Sequence, residues 1–218
     1  MSIRQASDYE FTNTWFEGCR ELWDSLLPQI SPKKILEIGS YEGASACYLI
    51  DKLSPYGDIE LHCIDNWMGS IEHQPGGMEH VLDSSIDMRL VESRFNKNTY
   101  LAAKKAKNSV NLNVHKCASV SALTALIVSG RADFFDFIYL DGSHQAPDTL
   151  LDAVLAFHLL SVGGYMAFDD YLWFETTLEK ADILRCPKIA IDSFVNIYRQ
   201  KLRFVELTKN QLFIQKIN

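Results

Sequence analysis

Residues 33–43 run Lys33-Lys34-Ile35-Leu36-Glu37-Ile38-Gly39-Ser40-Tyr41-Glu42-Gly43. A short apolar run meets an acid, then two glycines four apart. The pattern predicts a buried strand, a turn and the start of a helix. Such a turn leaves backbone N–H groups free to hold a ligand. A dinucleotide fingerprint uses G-x-G-x-x-G so that the backbone can approach a pyrophosphate. Here the middle glycine is absent, and Glu37 and Glu42 flank the turn. Carboxylates there repel phosphate and suit a cationic ligand. Gly39, Ser40, Tyr41 and Gly43 are the candidate contacts of the turn itself.

Asp65 closes the next apolar run, 22 positions after Gly43. An acid there can accept hydrogen bonds from ribose hydroxyls. That supports a nucleoside without choosing among nucleosides. Asn66 and Trp67 follow, and Trp67 is placed to cover a ribose or a base. Cys117-Ala118-Ser119 ends a third apolar run. Ser119 is either a ligand contact or a helix N-cap.

The second chemical cluster begins in Phe134-Phe135-Asp136-Phe137-Ile138-Tyr139-Leu140-Asp141-Gly142-Ser143-His144. A buried strand delivers Asp141 and then His144 to one edge. Gly163-Gly164-Tyr165-Met166-Ala167-Phe168-Asp169-Asp170 delivers two more acids from the next strand. Three unpaired carboxylates at neighbouring strand ends repel one another, so a positive partner is expected among them. A hard divalent cation such as Mg2+ fits Asp141, Asp169 and Asp170. Helix capping by each acid is the other reading. His144 has an ordinary pKa near ~6.5, which suits a general base at neutral pH. A hydrogen bond to a cofactor explains it equally well. His62, His115 and His158 fall within strands or a helix and read as structural.

The elements that must position these residues alternate. Helical periodicity is expected over 8–31, with Pro28 and Pro32 stopping it, and over 43–53, 119–129, 147–160 and 188–200. Strands are expected at 33–39, 59–65, 112–117, 134–140 and 165–168, with a hairpin over 202–207 and 211–217. Segment 66–111 is long and polar. It carries a loop at Gly69, Pro75, Gly76 and Gly77, one or two helices over 78–107, and His73, His80 and Arg94. It reads as a helical insertion, either a lid or a solvated excursion. The result is an α/β, doubly wound, mostly parallel seven-stranded sheet with a C-terminal antiparallel hairpin. Residues 1–31 form an N-terminal helical extension to a 32–218 ligand-binding domain. Trp15, Phe16 and Trp23 of that extension would close the substrate side, make a dimer contact, or simply pack.

The 37–43 turn resembles motif I of the class I S-adenosylmethionine (SAM) methyltransferases, whose cofactor carries a sulfonium and an ammonium. Residues 33–171 are similar to small-molecule O-methyltransferases of the catechol and macrocin types. The resemblance implies a Rossmann-like class I methyltransferase fold and O-methylation of a small-molecule hydroxyl. It implies a cofactor site of Glu37, Gly39, Ser40, Tyr41, Gly43, Asp65, Asn66, Trp67, Ser119 and Asp141. Glu37 would hold the methionine ammonium directly or through water. It implies a Mg2+ site of Asp141, Asp169 and Asp170. In the catechol type a lysine base stands where this chain has His144. In the sugar type an acid stands where this chain has Ser143. The family often places an acid after the third strand against the adenine amino group, and that acid is missing here.

The chain has 218 residues, 47% apolar, with a formal net charge of −7 and a pI near 5.3. The acidic balance gives no support for nucleic acid or an anionic membrane as partner. Cys19, Cys47, Cys63, Cys117 and Cys186 are scattered without a C-x-x-C pair and read as reduced thiols of a cytoplasmic protein. No segment reaches membrane-spanning length. A homo-oligomer is compatible with this composition. Two rival functions stand beside methyl transfer. They are an NAD(P)-dependent oxidoreductase, disfavoured by the missing glycine and the terminal hairpin, and a catalytically silent SAM-binding scaffold.

Overall fold

A computed structural model describes residues 8–74, 86–174 and 182–218. Strands β1 (Lys34–Ile38), β2 (Ile59–Asp65), β3 (Val110–Lys116), β4 (Phe135–Leu140) and β5 (Leu160–Phe168) run parallel. Strands β6 (Leu202–Leu207) and β7 (Leu212–Lys216) form the antiparallel hairpin, with β7 beside β5. The order across the seven strands is β3-β2-β1-β4-β5-β7-β6. The direction of winding reverses between β1 and β4, so loops at their carboxyl ends part to leave a crevice.

Helices α1 (Arg20–Ile30), α2 (Ala44–Leu53) and α3 (Met88–Lys105) cover one face; α4 (Ser119–Val128), α5 (Ala146–Leu159) and α6 (Lys188–Tyr198) cover the other. β4 is apolar apart from Asp136, whose carboxylate accepts from the Lys33 and Lys34 N–H groups at 3.0 and 2.9 Å, and a register irregularity between Phe135 and Phe137 sets those two on opposite faces. Phe135, Ile138 and Leu140 enter the α4–α6 core, while Phe137 and Tyr139 enter the α1–α3 core. A strand covered on both faces has no polar side to show. Among the described residues no helix is long and apolar enough to cross a membrane.

The N-terminal segment departs from the expected continuous helix over 8–31. A 3-10 turn spans Trp15–Gly18, and α1 starts only at Arg20. Residues 8–14 are irregular because Thr12 and Asn13 spend their polar groups on other partners. The Thr12 N–H and hydroxyl donate to Glu42 at 2.7 and 2.9 Å, and Asn13 Oδ1 accepts from the Trp15 N–H. Such bonds compete with a helix ladder. Pro28 does not stop α1, which runs to Ile30 and ends at Ser31 in the left-handed region, with φ 41°. Pro28 lies in the last turn, so little of the ladder depends on its missing N–H. Trp23 is fully buried and stands edge-on to Phe137, Tyr139 and Phe213, which fixes α1 to the sheet.

Candidate active site

The carboxyl ends of β1, β2, β4 and β5 are stitched together by backbone hydrogen bonds past the strand limits. The Gly39 N–H donates to Ile64 O at 2.9 Å, the Asp141 N–H to Ile38 O at 2.8 Å, and the Asp169 N–H to Leu140 O at 2.9 Å. Each bond sets a loop residue directly over its neighbouring strand. They surround one cavity of about 780 Å³.

The β1 turn is held from behind. Glu37 is fully buried and does not line the cavity. Its two carboxylate oxygens accept from the Ser40 hydroxyl at 2.5 Å and from the Ser45 hydroxyl. Burial pushes its carboxyl upward against those hydrogen bonds. Any influence of Glu37 on a ligand runs through Ser40 and Ser45, which do line the cavity. Glu42 is pinned by Thr12 and by Arg94 at 3.0 Å. Gly39 has φ +85°, and a Cβ there would stand 1.8 Å from the Asp141 carbonyl oxygen. The glycine is required because the β4 loop crosses it. Gly43 starts α2 in the same left-handed region, and a Cβ there would meet Phe95 at 3.0 Å.

Asp65 lines the cavity beside this turn. Its Oδ2 accepts from the N–H groups of Ser40 and Tyr41 at 3.0 and 2.9 Å, and its Oδ1 from Trp67 at 2.7 Å. Burial raises its pKa, with these three hydrogen bonds acting in the opposite sense. Asn66 and Ser40 also line the cavity, whereas Trp67 and Gly43 do not. The Trp67 indole packs on Phe95 and donates to Tyr41 O at 3.0 Å. Ser119 lines the cavity as the first residue of α4. Ala118 holds the N-cap position, without a side-chain cap.

At the other end, Asp141, His144 and Asp170 each offer one ligand atom, all within 4.8 Å of one another. His144 Nε2 stands 2.8 Å from Asp170 Oδ2, and its ring lies 4.2 Å from that of Trp173. Asp170 itself has φ 52°. Asp169 also lines the cavity, but its oxygens turn elsewhere. One accepts from the Tyr139 hydroxyl, and the other lies 3.7 Å from Cys19 Sγ. The same Tyr139 oxygen is 3.1 Å from Asp141 Oδ2, so the two acids share one buried phenol. Burial first, and then the neighbouring acids, raise both carboxyls, Asp169 to about 6. This edge concentrates negative charge that a bound cation would relieve.

From the 66–111 segment, Gly69, Ser70 and His73 line the cavity, with the His73 ring 6.0 Å from that of Tyr41. Pro75, Gly76, Gly77 and His80 lie outside the described residues. His62 and His115 stand away from the cavity, 2.9 Å apart under α4. The N-terminal segment contributes Phe11, Asn13, Trp15 and Phe16 to the wall. Among the lining residues that a linear reading passes over are Asp152, Trp173 and Asn210. Asp152 alone left a signal. It sits on the inward stripe of α5 with Thr149, Ala153 and Ala156, where an acid is out of place.

Comparison with known proteins gives the family and the fold. Residues 36–171 match the model of a family described as a methyltransferase domain. The chain is 23% identical over 184 residues to the probable caffeoyl-CoA O-methyltransferase 3 of Dictyostelium discoideum, covering 79% of this chain and 61% of that protein. It therefore spans somewhat under two thirds of that relative's length. Its fold is similar to that of a putative O-methyltransferase from Klebsiella pneumoniae, with TM-score 0.60 and 15% identity over 96% of this chain and 84% of that one. It is also similar to TomG of Streptomyces achromogenes, involved in tomaymycin synthesis and solved with SAM, with TM-score 0.57 and 16% identity over 92% and 80%. The family match takes in the β1 turn, Asp65 and the edge from Asp141 to Asp170, well over half of the chain, which thus belongs to this methyltransferase-domain family.

Proposed function

We propose that the chain is a SAM-dependent methyltransferase acting on a hydroxyl oxygen of a small molecule. The observation that carries this reading is a single cavity walled at one end by the β1 turn and Asp65 and at the other by Asp141, His144 and Asp170. Its volume of about 780 Å³ suits a nucleoside cofactor together with a compact acceptor. SAM, when bound, supplies a methyl group on a cationic sulfur.

The residues present fit such a guest. Asp65 takes the ribose hydroxyls on its cavity side while its backbone bonds keep the turn in register. Ser40 and Ser45, fixed by Glu37, present polar groups toward the methionine half. The acidic edge favours the cation over its neutral product, S-adenosylhomocysteine (SAH). His144, held against Asp170 and packed beside the tilted ring of Trp173, accepts the proton of the acceptor hydroxyl. Trp15 and Phe16 shut the cavity from the N-terminal side and keep acceptor and donor in line, where much of the rate gain lies. A divalent cation fits the donor set as well. Asp141, Asp169 and Asp170 would hold it, with Asp169 turned from Tyr139, and it would lower the pKa of a bound hydroxyl.

The test is transfer from methyl-labelled SAM into pools of hydroxylated metabolites, with Mg2+ and with excess chelator. Labelled ether products in the Mg2+ arm are expected. No SAH binding and no transfer in either arm would defeat the reading. Full turnover in chelator would remove the metal and leave the methyl transfer.

A further inference from the structure

The segment from Asp8 to Cys19 walls the cavity as a strap, and none of its side chains before Cys19 is buried. Its inner side supplies Phe11, Asn13, Trp15 and Phe16. Trp15 packs on Tyr41 of the β1 turn, with ring centroids 5.1 Å apart. At the far end Cys19 Sγ lies 3.7 Å from Asp169, and a Cβ on Gly18 would stand 3.2 Å from Asn210 Nδ2. The strap therefore runs from the β1 turn to the acidic edge.

What holds the strap in place is polar. Asn98, within α3, is fully buried and lies outside the cavity wall. Its Oδ1 accepts from the Glu10 N–H at 2.8 Å, and its Nδ2 donates to Glu10 O at 3.1 Å and to Glu42 O at 3.0 Å. One amide thus spends both of its donors, and its oxygen, on the backbones of strap and turn. Two residues on, the Thr12 N–H and hydroxyl meet the buried Glu42 carboxylate, which Arg94 of the same helix also holds. The outer contacts, Lys97 with Glu10 and Lys105 with Asp8, are exposed ion pairs of little worth. A segment with so little buried apolar surface opens locally at low free energy, and the junction at Asn98 and Glu42 decides how low.

We infer that Asn98 is a positioning residue that couples the strap to the β1 turn, so that a cofactor filling the turn also fixes the N-terminal wall of the cavity. The inference rests on the methyltransferase reading. Asn98 acts through other groups, by holding the backbones of Glu10 and Glu42 at one spacing. A ligand that braces Ser40 and Tyr41 braces Glu42 next to them, and through Glu42 and Asn98 it braces residues 10 and 12 of the strap. Trp15 and Phe16 follow, because they leave the strap only a few residues beyond that anchor.

The experiment is hydrogen exchange of the full chain at pH 7.5, read by mass spectrometry over residues 9–19, with and without saturating SAH. Coupling between two sites is reciprocal, so the factor by which SAH slows opening of the strap is the factor by which a released strap weakens SAH. In the unaltered chain SAH should slow exchange over 9–19 by roughly 5- to 100-fold. Asn98→Ala should abolish most of this protection and weaken SAH in calorimetry by a matching factor, with exchange in β1 and β4 of the free chain unchanged. Thr12→Val removes one bond to Glu42 from the exposed strap and should move both readouts in the same direction. It decides the matter where Asn98→Ala does not fold, and values equal to the parent's in it would overturn the coupling. Faster exchange throughout the sheet of Asn98→Ala, with the SAH protection of the strap kept, would mark a merely structural amide and overturn the role of Asn98. Tight SAH binding that leaves strap exchange unchanged in the unaltered chain overturns this inference alone, whereas no SAH binding overturns the methyltransferase reading with it.

Discussion

The acids of this site divide by what their oxygens already hold. Glu37 is committed to Ser40 and Ser45, and Asp65 to three backbone N–H groups, so both act first on the protein. Glu37→Gln removes one of two acceptors and leaves a buried hydroxyl without its partner. The expected cost is ~1–3 kcal/mol in urea denaturation, with SAH affinity falling as the turn loosens. His144 is different, because it faces the cavity and meets Asp170 there. Proton transfer by a placed side chain contributes ~10²- to 10⁴-fold. His144→Ala should lower kcat by that range while SAH binding by calorimetry stays within about twofold. A variant that loses SAH affinity and keeps its kcat at saturation would make His144 a cofactor contact instead.

At the scale of elements, loops cross one another closely enough for single atoms to decide their register. Gly39→Ala would drive a Cβ into the Asp141 carbonyl in a left-handed backbone. The turn of β1 and the loop of β4 would have to separate, at ~3 kcal/mol or more. Poor solubility or a midpoint far below the parent's is expected, and unchanged stability would contradict the crossing. The β2–β3 pair carries a second testable feature. His62 contacts both His115 and Glu60, and Arg131 pairs with the same Glu60 at 2.9 Å. Burial lowers both imidazole pKa values, and the nearby Arg131 charge acts in the same direction. The unfolded chain then binds protons more readily than the folded one below about pH 6.5. Stability is full above that pH and is lost as pH falls through it. His62→Gln should flatten this acid-side loss when urea midpoints at pH 7.5 and pH 5 are compared with the parent's.

For the whole molecule, the cavity draws walls from both ends of the sequence, from Phe11 to Asn210. A ligand that fills it bridges the N-terminal segment, the β1 turn and the β4–β5 edge, and so binds only the folded chain. At 100 times its Kd such a ligand adds ~2.7 kcal/mol. For a chain of this size that corresponds to a rise in Tm of roughly 5–10 °C. SAH should give this shift and NAD+ none. A shift with NAD+ alone would restore the oxidoreductase alternative.

The sequence by itself determined the elements and the strand-end acids. Buried strands of an α/β sheet are apolar on both faces, and each ends where polar turn residues begin, so Glu37, Asp65, Asp141 and Asp169–Asp170 stand out in the linear text. The seven strands and the terminal hairpin were legible for the same reason. Side-chain direction was not. Whether Glu37 faces a ligand or two serines, and whether Asp169 turns to a cation or to Tyr139 on the neighbouring strand 30 positions away, depends on how the turns and adjacent strands pack. The N-terminal helix is shorter than its periodicity predicts because tertiary bonds from Thr12 to Glu42 outweigh the local preference. Asp152 shows in the sequence only as an acid out of place on the inward stripe of its helix, which says that it is buried and not what it faces. Only the docking of α5 against the first turn of α4 put its carboxylate into the cavity, because contact between two helices fixes which face of each is turned inward.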